Sequence, residues 1–431
     1  MHSTTLTLNC QRTHQTMEGF GANINPVGHW YDGQLIPALD KLIDDLGASL
    51  FRLDPYGFTN WIDPDGRADR TILHSETYTR IYRSQPFQDA WAMARYFNRK
   101  GVRFILNVSG IVPRWMCGPD GKTLSDLEAY ADLLTSLAWW ARKEEDLRFD
   151  LFGPFNETDL GPPEGPVVAP ADAARVLELL AARFERVGLG DIGFVAVDQG
   201  HYNLDYLQPI AASEKLREKV AAAGMHCYSD FSLTAVRDFI IQNKLNWSYW
   251  LTEYGDLDQS GEREWEVALL STRRLLRGLL DGVQAAMVWD AYDNWHGHDD
   301  SWSLYGLLRT GSKRRYTPKK RYYAAKQIYR FVPPGAVRID TSSDDPDLLA
   351  TAFQTLQGDL TLVGLNERGP LRLDVTIEGS SAGKMLRFLL TSRSEDCNLV
   401  GEFPLGERFR LTIPGESIFT LTTFEPEHYS F

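Results

Sequence analysis

The chain has 431 residues, 43% of them hydrophobic, which is too long for one ordinary domain and ample for a large core. Its net charge of −13, from 45 basic and 58 acidic residues, argues against nucleic acid as a partner, since phosphate contact needs clustered Lys and Arg. No run of about 18 apolar residues is present, so no membrane partner is expected. The N-terminus has no basic stretch leading into an apolar core, so the expected address is cytoplasmic, or secreted if an export signal was trimmed.

In chain order, Gly19–Ile24 reads as a first strand and Ile36–Leu46 as an amphipathic helix stopped by Gly47. Ser49–Leu53 is the second strand, followed by a long loop through Trp61 and Asp65-Gly66 and a helix near Phe87–Lys100. Strand three is Arg103–Val108, with a helix over Leu124–Lys143, and strand four is Phe149–Phe155, with a helix over Ala171–Val187. Strand five is Gly193–Val197, followed by a helix over Leu204–Arg217. Strand six runs from Val220 into His226-Cys227-Tyr228, with a helix over Leu233–Asn243. Strand seven is Trp247–Thr252, with a helix over Glu262–Leu280, and strand eight is Ala285–Trp289, with a last helix over Lys320–Arg330. Eight strand–helix units in alternation imply parallel strands, and eight is the number that closes a barrel. An open doubly wound sheet is the alternative, but no GxGxxG follows the first strand. Past Pro333-Pro334 the pattern changes to short alternating runs such as Leu371–Thr376, separated by turns such as Gln357-Gly358-Asp359. The expected fold is therefore an α/β chain: a (β/α)8 TIM barrel over residues 18–332 and an antiparallel β-sandwich over 333–431.

The ends of the predicted strands carry the polar groups: Asn25, Arg52 with Asp54, Asn107, Asn156 with Glu157, Asp198, His226 with Tyr228, Glu253, and Trp289 with Asp290. Barrel enzymes do their chemistry at that rim. Glu157 and Glu253 follow strands four and seven, on roughly opposite sides of the mouth, so they can face each other across a cleft. Two facing carboxyls are what glycosidic bond cleavage needs, and a separation of about 5–5.5 Å means a retaining mechanism. Glu157 is then the acid/base, protonated at rest, and Glu253 the nucleophile, with Asn156 hydrogen-bonding the sugar 2-hydroxyl. Arg52 either holds Glu253 ionised or pairs with Asp54; Tyr228 donates to Glu253 or is a satisfied mouth residue. His226 orients a sugar hydroxyl or is likewise satisfied, and Trp289, with Trp115 a weaker candidate, offers a flat face for the sugar or fills core. Four scattered cysteines, Cys10, Cys117, Cys227 and Cys397, read as free thiols. The histidines and acids of Trp295–Asp300 read as a subsite wall, because this chemistry needs no metal and no cofactor.

The chain resembles the clan A glycoside hydrolases and, among them, family 30 most. The segments that carry the likeness are Glu18-Gly19-Phe20-Gly21, Pro113-Arg114-Trp115-Met116, Asn156-Glu157, Thr252-Glu253 and the run from Tyr322-Tyr323-Ala324 through Arg330-Phe331-Val332-Pro333-Pro334-Gly335 to Ile339. Thr158 stands where that family usually has proline. The resemblance implies that an N-terminal strand within residues 1–17 pairs with the sandwich, and that Arg52, Trp115, His226, Tyr228 and Trp289 line the sugar subsite. It also implies a carbohydrate substrate. Long loops after strands two and eight suggest a walled pocket, and with it exo-action on short β-linked oligosaccharides. The alternatives are an endo-acting β-glycanase on xylan, β-1,6-glucan or galactan, a transglycosylase, and a catalytically inactive carbohydrate-binding barrel.

Overall fold

The computed structural model describes residues 2–26, 34–55, 73, 75–201, 203–230, 232, 234–296, 301–311, 315–379 and 383–426. After β1 (His2–Thr16), eight parallel strands close a barrel: β2 (Gly19–Ile24), β3 (Leu50–Leu53), β4 (Arg103–Asn107), β5 (Leu151–Gly153), β6 (Gly193–Gln199), β7 (Val220–Cys227), β8 (Ser248–Tyr254) and β9 (Ala285–Val288). Closure is direct, because β2 pairs in parallel with both β3 and β9.

Helices cover the barrel: α1 (Ile36–Asp40), which runs on as a π turn over Lys41–Asp45, then α2 (Glu76–Tyr82), α3 (Gln85–Lys100), α4 (Leu127–Lys143) and α5 (Pro170–Arg186). They continue with α6 (Leu207–Ala212), α7 (Glu214–Lys219), α8 (Thr234–Gln242), α9 (Glu264–Leu280) and α10 (Lys320–Tyr329). The ends of α3 follow from its sequence: Pro86 sits in the first turn, and Gly101 takes the left-handed conformation (φ 70°) that stops it. At the start of α4 the Asp126 carboxylate accepts the Ala129 N–H, 2.9 Å, satisfying one of the orphan donors of the first turn. The single helix expected over Leu204–Arg217 is two, α6 and α7, meeting at the extended Ser213 (ψ 114°).

Strand side chains split between two cores. Leu50, Ile105, Leu151, Val195, Ala222, Trp250, Ala285 and Met287 fill the barrel axis, while Phe51, Phe104, Phe152, Phe194 and Leu251 point out to the helices. Two short hairpins, β10 (Trp295–His296) with β11 (Ser301–Trp302) and β12 (Leu308–Thr310) with β13 (Tyr316–Pro318), lie between β9 and α10.

The C-terminal strands β14 (Val337–Ser343), β15 (Leu349–Gln354), β16 (Leu360–Asn366), β17 (Leu371–Glu378), β18 (Met385–Thr391), β19 (Asp396–Pro404), β20 (Arg408–Ile413) and β21 (Ser417–Thr422) join β1 in one nine-stranded sheet. The sheet folds over a shared core that includes Leu6, Leu8, Ile339, Leu373, Phe388 and Phe419. It is mixed rather than purely antiparallel, because β1 runs antiparallel to β14 but parallel to β17. Chain direction dictates this: β1 is inserted between two strands of a sandwich made much later in the sequence. Against the barrel, Thr420 Oγ1 donates to the Gln327 carbonyl of α10, 2.6 Å, and Thr361 Oγ1 to the Phe331 carbonyl, 2.8 Å. No described helix is long and apolar enough to cross a membrane.

Candidate active site

The carboxyl ends of the strands converge on a cleft of about 150 Å³, lined by Asn25, Arg52, Asn156, Glu157, Tyr228, Glu253 and Trp289 together with Asn23, Asp54, Ser109, Glu164, Leu257 and Tyr305. Arg52, on β3 and 2% exposed, is its hub. Nη1 donates to Glu253 Oε1 at 2.7 Å and to Asn23 Oδ1 at 2.8 Å. Nη2 donates to Asn156 Oδ1 at 2.7 Å and faces Asp198 Oδ2 at 3.2 Å. Between the two open sequence readings of Arg52, the structure therefore selects the contact with Glu253. Asp54 instead accepts from Asn107 Nδ2, 3.4 Å.

Glu253 closes β8 with its carboxylate held at both oxygens, Oε1 by Arg52 and Oε2 by the Tyr228 hydroxyl, 2.6 Å. Glu157 enters from the loop after β5. Its backbone takes a left-handed conformation (φ 43°), and its N–H donates to the Asp198 carbonyl, 2.7 Å; Asp198 is itself left-handed (φ 51°). Two non-glycine residues in that region, tied to each other and both at the mouth, are the kind of local strain that a functional site retains. Glu157 Oε1 meets His226 Nδ1 at 2.7 Å, while Oε2 carries no hydrogen bond among the described residues. The same Nδ1 lies 3.3 Å from Glu253 Oε2. One carboxylate oxygen of each glutamate and a ring nitrogen of His226 all fall within 4.8 Å of one another.

These groups titrate together. Burial pushes both carboxyls up. For Glu157 the hydrogen bond and charge of His226, with the charge of Arg52, outweigh burial and hold it below the ordinary carboxylate value. For Glu253 burial beside Glu157 wins over His226, Arg52 and Tyr228, and it lies above that value. His226 is raised, since the two glutamates overcome the burial that would lower it. The two opposite shifts favour the proton on His226 over Glu157, which are one hydrogen bond apart and titrate as a pair. Burial lowers the Arg52 pKa, but Asp198 first and then Glu253 raise it further.

Two expected sugar contacts are corrected. His226 has a side chain with 0% exposure and lies behind the carboxylates, where it touches them and not the cleft. Its Nε2 has no hydrogen-bond partner among the described residues. Trp115 is not among the described residues that line the cleft. The turn at Pro113 starts a short 3-10 helix over Arg114–Met116, whose Met116 carbonyl accepts from Ser125 and Asp126. That carries the indole to an outer depression with Leu127, Arg175 and Leu179. Asn156, Tyr228 and Trp289 do line the cleft.

Two residues given no role by the sequence are central here, Asn23 and Asp198. Asn23 shares a strand face with Asn25 and pairs in register with Arg52, a period-2 signal that was available. Asp198 was visible only as a strand-end acid. Its carboxylate occupies space that a side chain on Gly224 would fill, since a Cβ there would meet Asp198 Oδ1 at 2.2 Å and Thr252 Cγ2 at 2.9 Å.

Among the described residues, Glu157, His226 and Glu253 form the group whose donor atoms are close enough together to hold a metal. His226 Nδ1 is already committed between the carboxylates, and Arg52 stands 2.7 Å from Glu253, so a divalent cation would meet a fixed positive charge at its own ligand. The histidines and acids of the Trp295–Asp300 stretch lie partly outside the described residues, at 297–300.

Residues 335–421 match the model of the glycosyl hydrolase family 30 beta sandwich domain. The whole chain is similar in structure to a family 30 subfamily 8 xylanase from Clostridium acetobutylicum, at 17% identity and TM-score 0.76, covering 97% of this chain and 99% of that one. The catalytic domain of a family 30 xylanase C from Talaromyces cellulolyticus is similar at 19% identity and TM-score 0.76, with the same coverage of both chains. An endo-β1,6-glucanase is similar at 17% identity and TM-score 0.73, over 97% of this chain and 93% of that one. The search of curated proteins found no match. The chain thus has the two-domain architecture of the family 30 glycoside hydrolases, with the family's own β-sandwich at its C-terminal end.

Proposed function

We propose that the protein is a retaining β-glycoside hydrolase acting by double displacement, and that it cleaves within β-linked glycans. The observation that carries the reading is the separation of the two carboxyls, within 4.8 Å at their facing oxygens. An inverting pair stands about 6.5–9.5 Å apart to admit a water, and a retaining pair about 5–5.5 Å apart. In the first step a carboxylate oxygen of Glu253 attacks the anomeric carbon while the bond to the leaving oxygen breaks. Glu157 gives that oxygen the proton it carries on Oε2, the oxygen without a hydrogen bond among the described residues, in the protonation state of the Glu157–His226 pair in which His226 is neutral, and is left as a carboxylate that accepts from His226 Nδ1 at Oε1. In the second step Glu157 takes a proton from water, the water attacks the glycosyl carbon, and Glu253 leaves as a carboxylate. Arg52 and Tyr228 are the donors that steady Glu253 through both charge changes. Asn156, with Oδ1 on Arg52 and Nδ2 on the Glu164 carbonyl at 3.1 Å, has a second amide hydrogen for the sugar 2-hydroxyl.

Endo-action is preferred over exo-action because structural relatives of stated activity include an endoxylanase from Clostridium papyrosolvens and the endo-β1,6-glucanase. The long-loop argument for a closed pocket rests on residues 56–72 and 297–300, outside the described residues. The test is product analysis on xylan, β-1,6-glucan and their oligosaccharides, with proton NMR of the first-formed anomer. Internal cleavage with a β-configured first product is expected. Glu253→Ala loses that activity and regains turnover with azide, giving an α-glycosyl azide. A well-folded protein that binds but does not cleave any of these glycans is a recognition module, and an α-configured first product overturns the retaining mechanism.

A further inference from the structure

At the opposite end of the barrel from Glu253 lies a second cavity, of about 320 Å³, where barrel, N-terminal strand and sandwich meet. Tyr249, at its wall, is four residues before Glu253 on β8, roughly 13 Å along the strand. Arg338, near the start of β14, reaches into this cavity and is 7% exposed. Among the described residues its one hydrogen bond runs from Nε to Gln15 Oε1, 2.9 Å, and it makes no ion pair. Gln15 is fixed in turn by donating Nε2 to the Leu279 and Val283 carbonyls, 2.6 and 3.1 Å. Its two η nitrogens have no hydrogen-bond partner among the described residues and are not sealed from solvent, so they open on the cavity that Arg338 lines. Burial lowers the Arg338 pKa and the charge of Arg237 lowers it further, while the charges of Asp340 and Asp281 raise it without reversing the shift. Arg52, the more deeply buried of the two, is raised by the carboxylates around it.

A guanidinium with both η nitrogens unpaired offers a planar fork that fits a carboxylate. The rest of the wall is mixed: Ile240, Trp247, Tyr249 and Leu280 give an apolar and aromatic face, His14 and Gln284 a polar one, and Arg237, paired with Asp238 at 2.7 Å, stands at the rim with its side chain 38% exposed. The volume is at the lower end of the range for small-ligand sites. We infer that this cavity is a binding site for a small organic carboxylate with a flat apolar body, its carboxylate bidentate on the Arg338 η nitrogens and its body against Ile240 and Trp247. The site joins residues of β1, α8, β8 and β14, so occupancy ties the sandwich to the base of the barrel and raises the unfolding temperature.

The probe is benzoate, titrated calorimetrically into the full-length protein, with benzamide as neutral isostere and inorganic phosphate as bare anion. One-to-one benzoate binding is expected, with a matching rise in unfolding temperature. Arg338→Met weakens it by about tenfold or more, as loss of a charged hydrogen-bonding partner requires. Arg338→Lys keeps part of it, Arg237→Gln weakens it less than Arg338→Met does, and cleavage at the distant cleft is unchanged in all three. Arg338→Lys and Arg237→Gln also keep the comparison open if Arg338→Met misfolds. Absence of a benzoate signal overturns the inference, as does equal binding of benzamide. Phosphate binding as tightly as benzoate, with the same loss in Arg338→Met, also overturns it in favour of an oxyanion site without an apolar subsite.

Discussion

Replacing His226 by Asn leaves an N–H near the position of Nδ1 and removes its charge, which isolates what that charge does to the two glutamates. Nδ1 is 2.7 Å from Glu157 and 3.3 Å from Glu253 in a fully buried setting. An opposite charge at this range moves a carboxyl pKa by roughly 1–3 units. In the parent, kcat/KM rises with pH as Glu253 ionises, above the ordinary glutamate value of about 4.3 because Glu253 is raised. It falls again as the proton shared by Glu157 and His226 is lost, above about 6.5 because His226 is raised. In His226→Asn both glutamates lose a cation and both rise. The acid limb moves up by roughly 1–3 units. The basic limb then belongs to Glu157 alone, a carboxylic acid, and moves down from where the imidazolium had set it. The bell narrows from both sides. The assay is kcat/KM from about pH 3 to about pH 9 on the glycan the protein cleaves. A 2,4-dinitrophenyl glycoside, whose leaving group needs no proton, serves as a control that shows only the acid limb. A basic limb that stays in place in His226→Asn would refute the shared proton.

Tyr228→Phe removes one of the two direct donors to Glu253, and kcat/KM should fall by about 10–150-fold, the worth of a hydrogen bond to a charged group. Its acid limb should also move up, since that hydrogen bond lowers the Glu253 pKa. Gly224→Ala drives a methyl into Asp198 Oδ1 and Thr252, so urea unfolding should show a loss of about 1–3 kcal/mol, with lowered activity as Asp198 shifts from Arg52. Lys319→Met strands Asp293, whose Oδ1 lies 2.8 Å from Lys319 Nζ in a pair with side chains 6% and 1% exposed. A loss of about 3–5 kcal/mol is expected at neutral pH by the same measurement.

What the sequence disclosed, and what it hid, divides along a physical line. The barrel was legible because each strand is an apolar run ending in a polar residue: in β8, Tyr249, Trp250 and Leu251 are buried and Glu253 follows at the mouth. β19, Asp396–Pro404, was missed because it is largely exposed and has no apolar alternation to betray it. β1 was expected within residues 1–17 through the resemblance alone, because its buried alternation of Leu6, Leu8 and Cys10 is short and beyond it the pairing with β14 continues through register shifts that no periodicity marks. Glu157 and Glu253 were placed correctly at the rim because strand ends fix position. The roles of His226 and Trp115 were not legible, because position on a strand end or loop does not say which way a ring turns. His226 turns under the carboxylates and Trp115 out towards α4 and α5.

The two buried arginines give that distinction a measurable form. Arg52 has Asn23, Asn156, Glu253 and Asp198 around its guanidinium, whereas among the described residues Arg338 hydrogen-bonds Gln15 alone. Both are residues that any composition count would enter as one more positive charge, yet removing them should change stability in opposite directions. Arg52→Met leaves Asp198 and Glu253 buried without their cation, and about 3–5 kcal/mol should be lost at neutral pH. Because the stranded carboxyls can take up protons, part of that loss should return as the pH falls. Arg338→Met removes a charge that has no counter-charge in contact, so the unliganded protein should be unchanged or stabilised, with no such recovery in acid. Equal losses for the two substitutions would mean that Arg338 is held by something other than the sparse contacts seen around it, and that the cavity it faces is packing rather than a site.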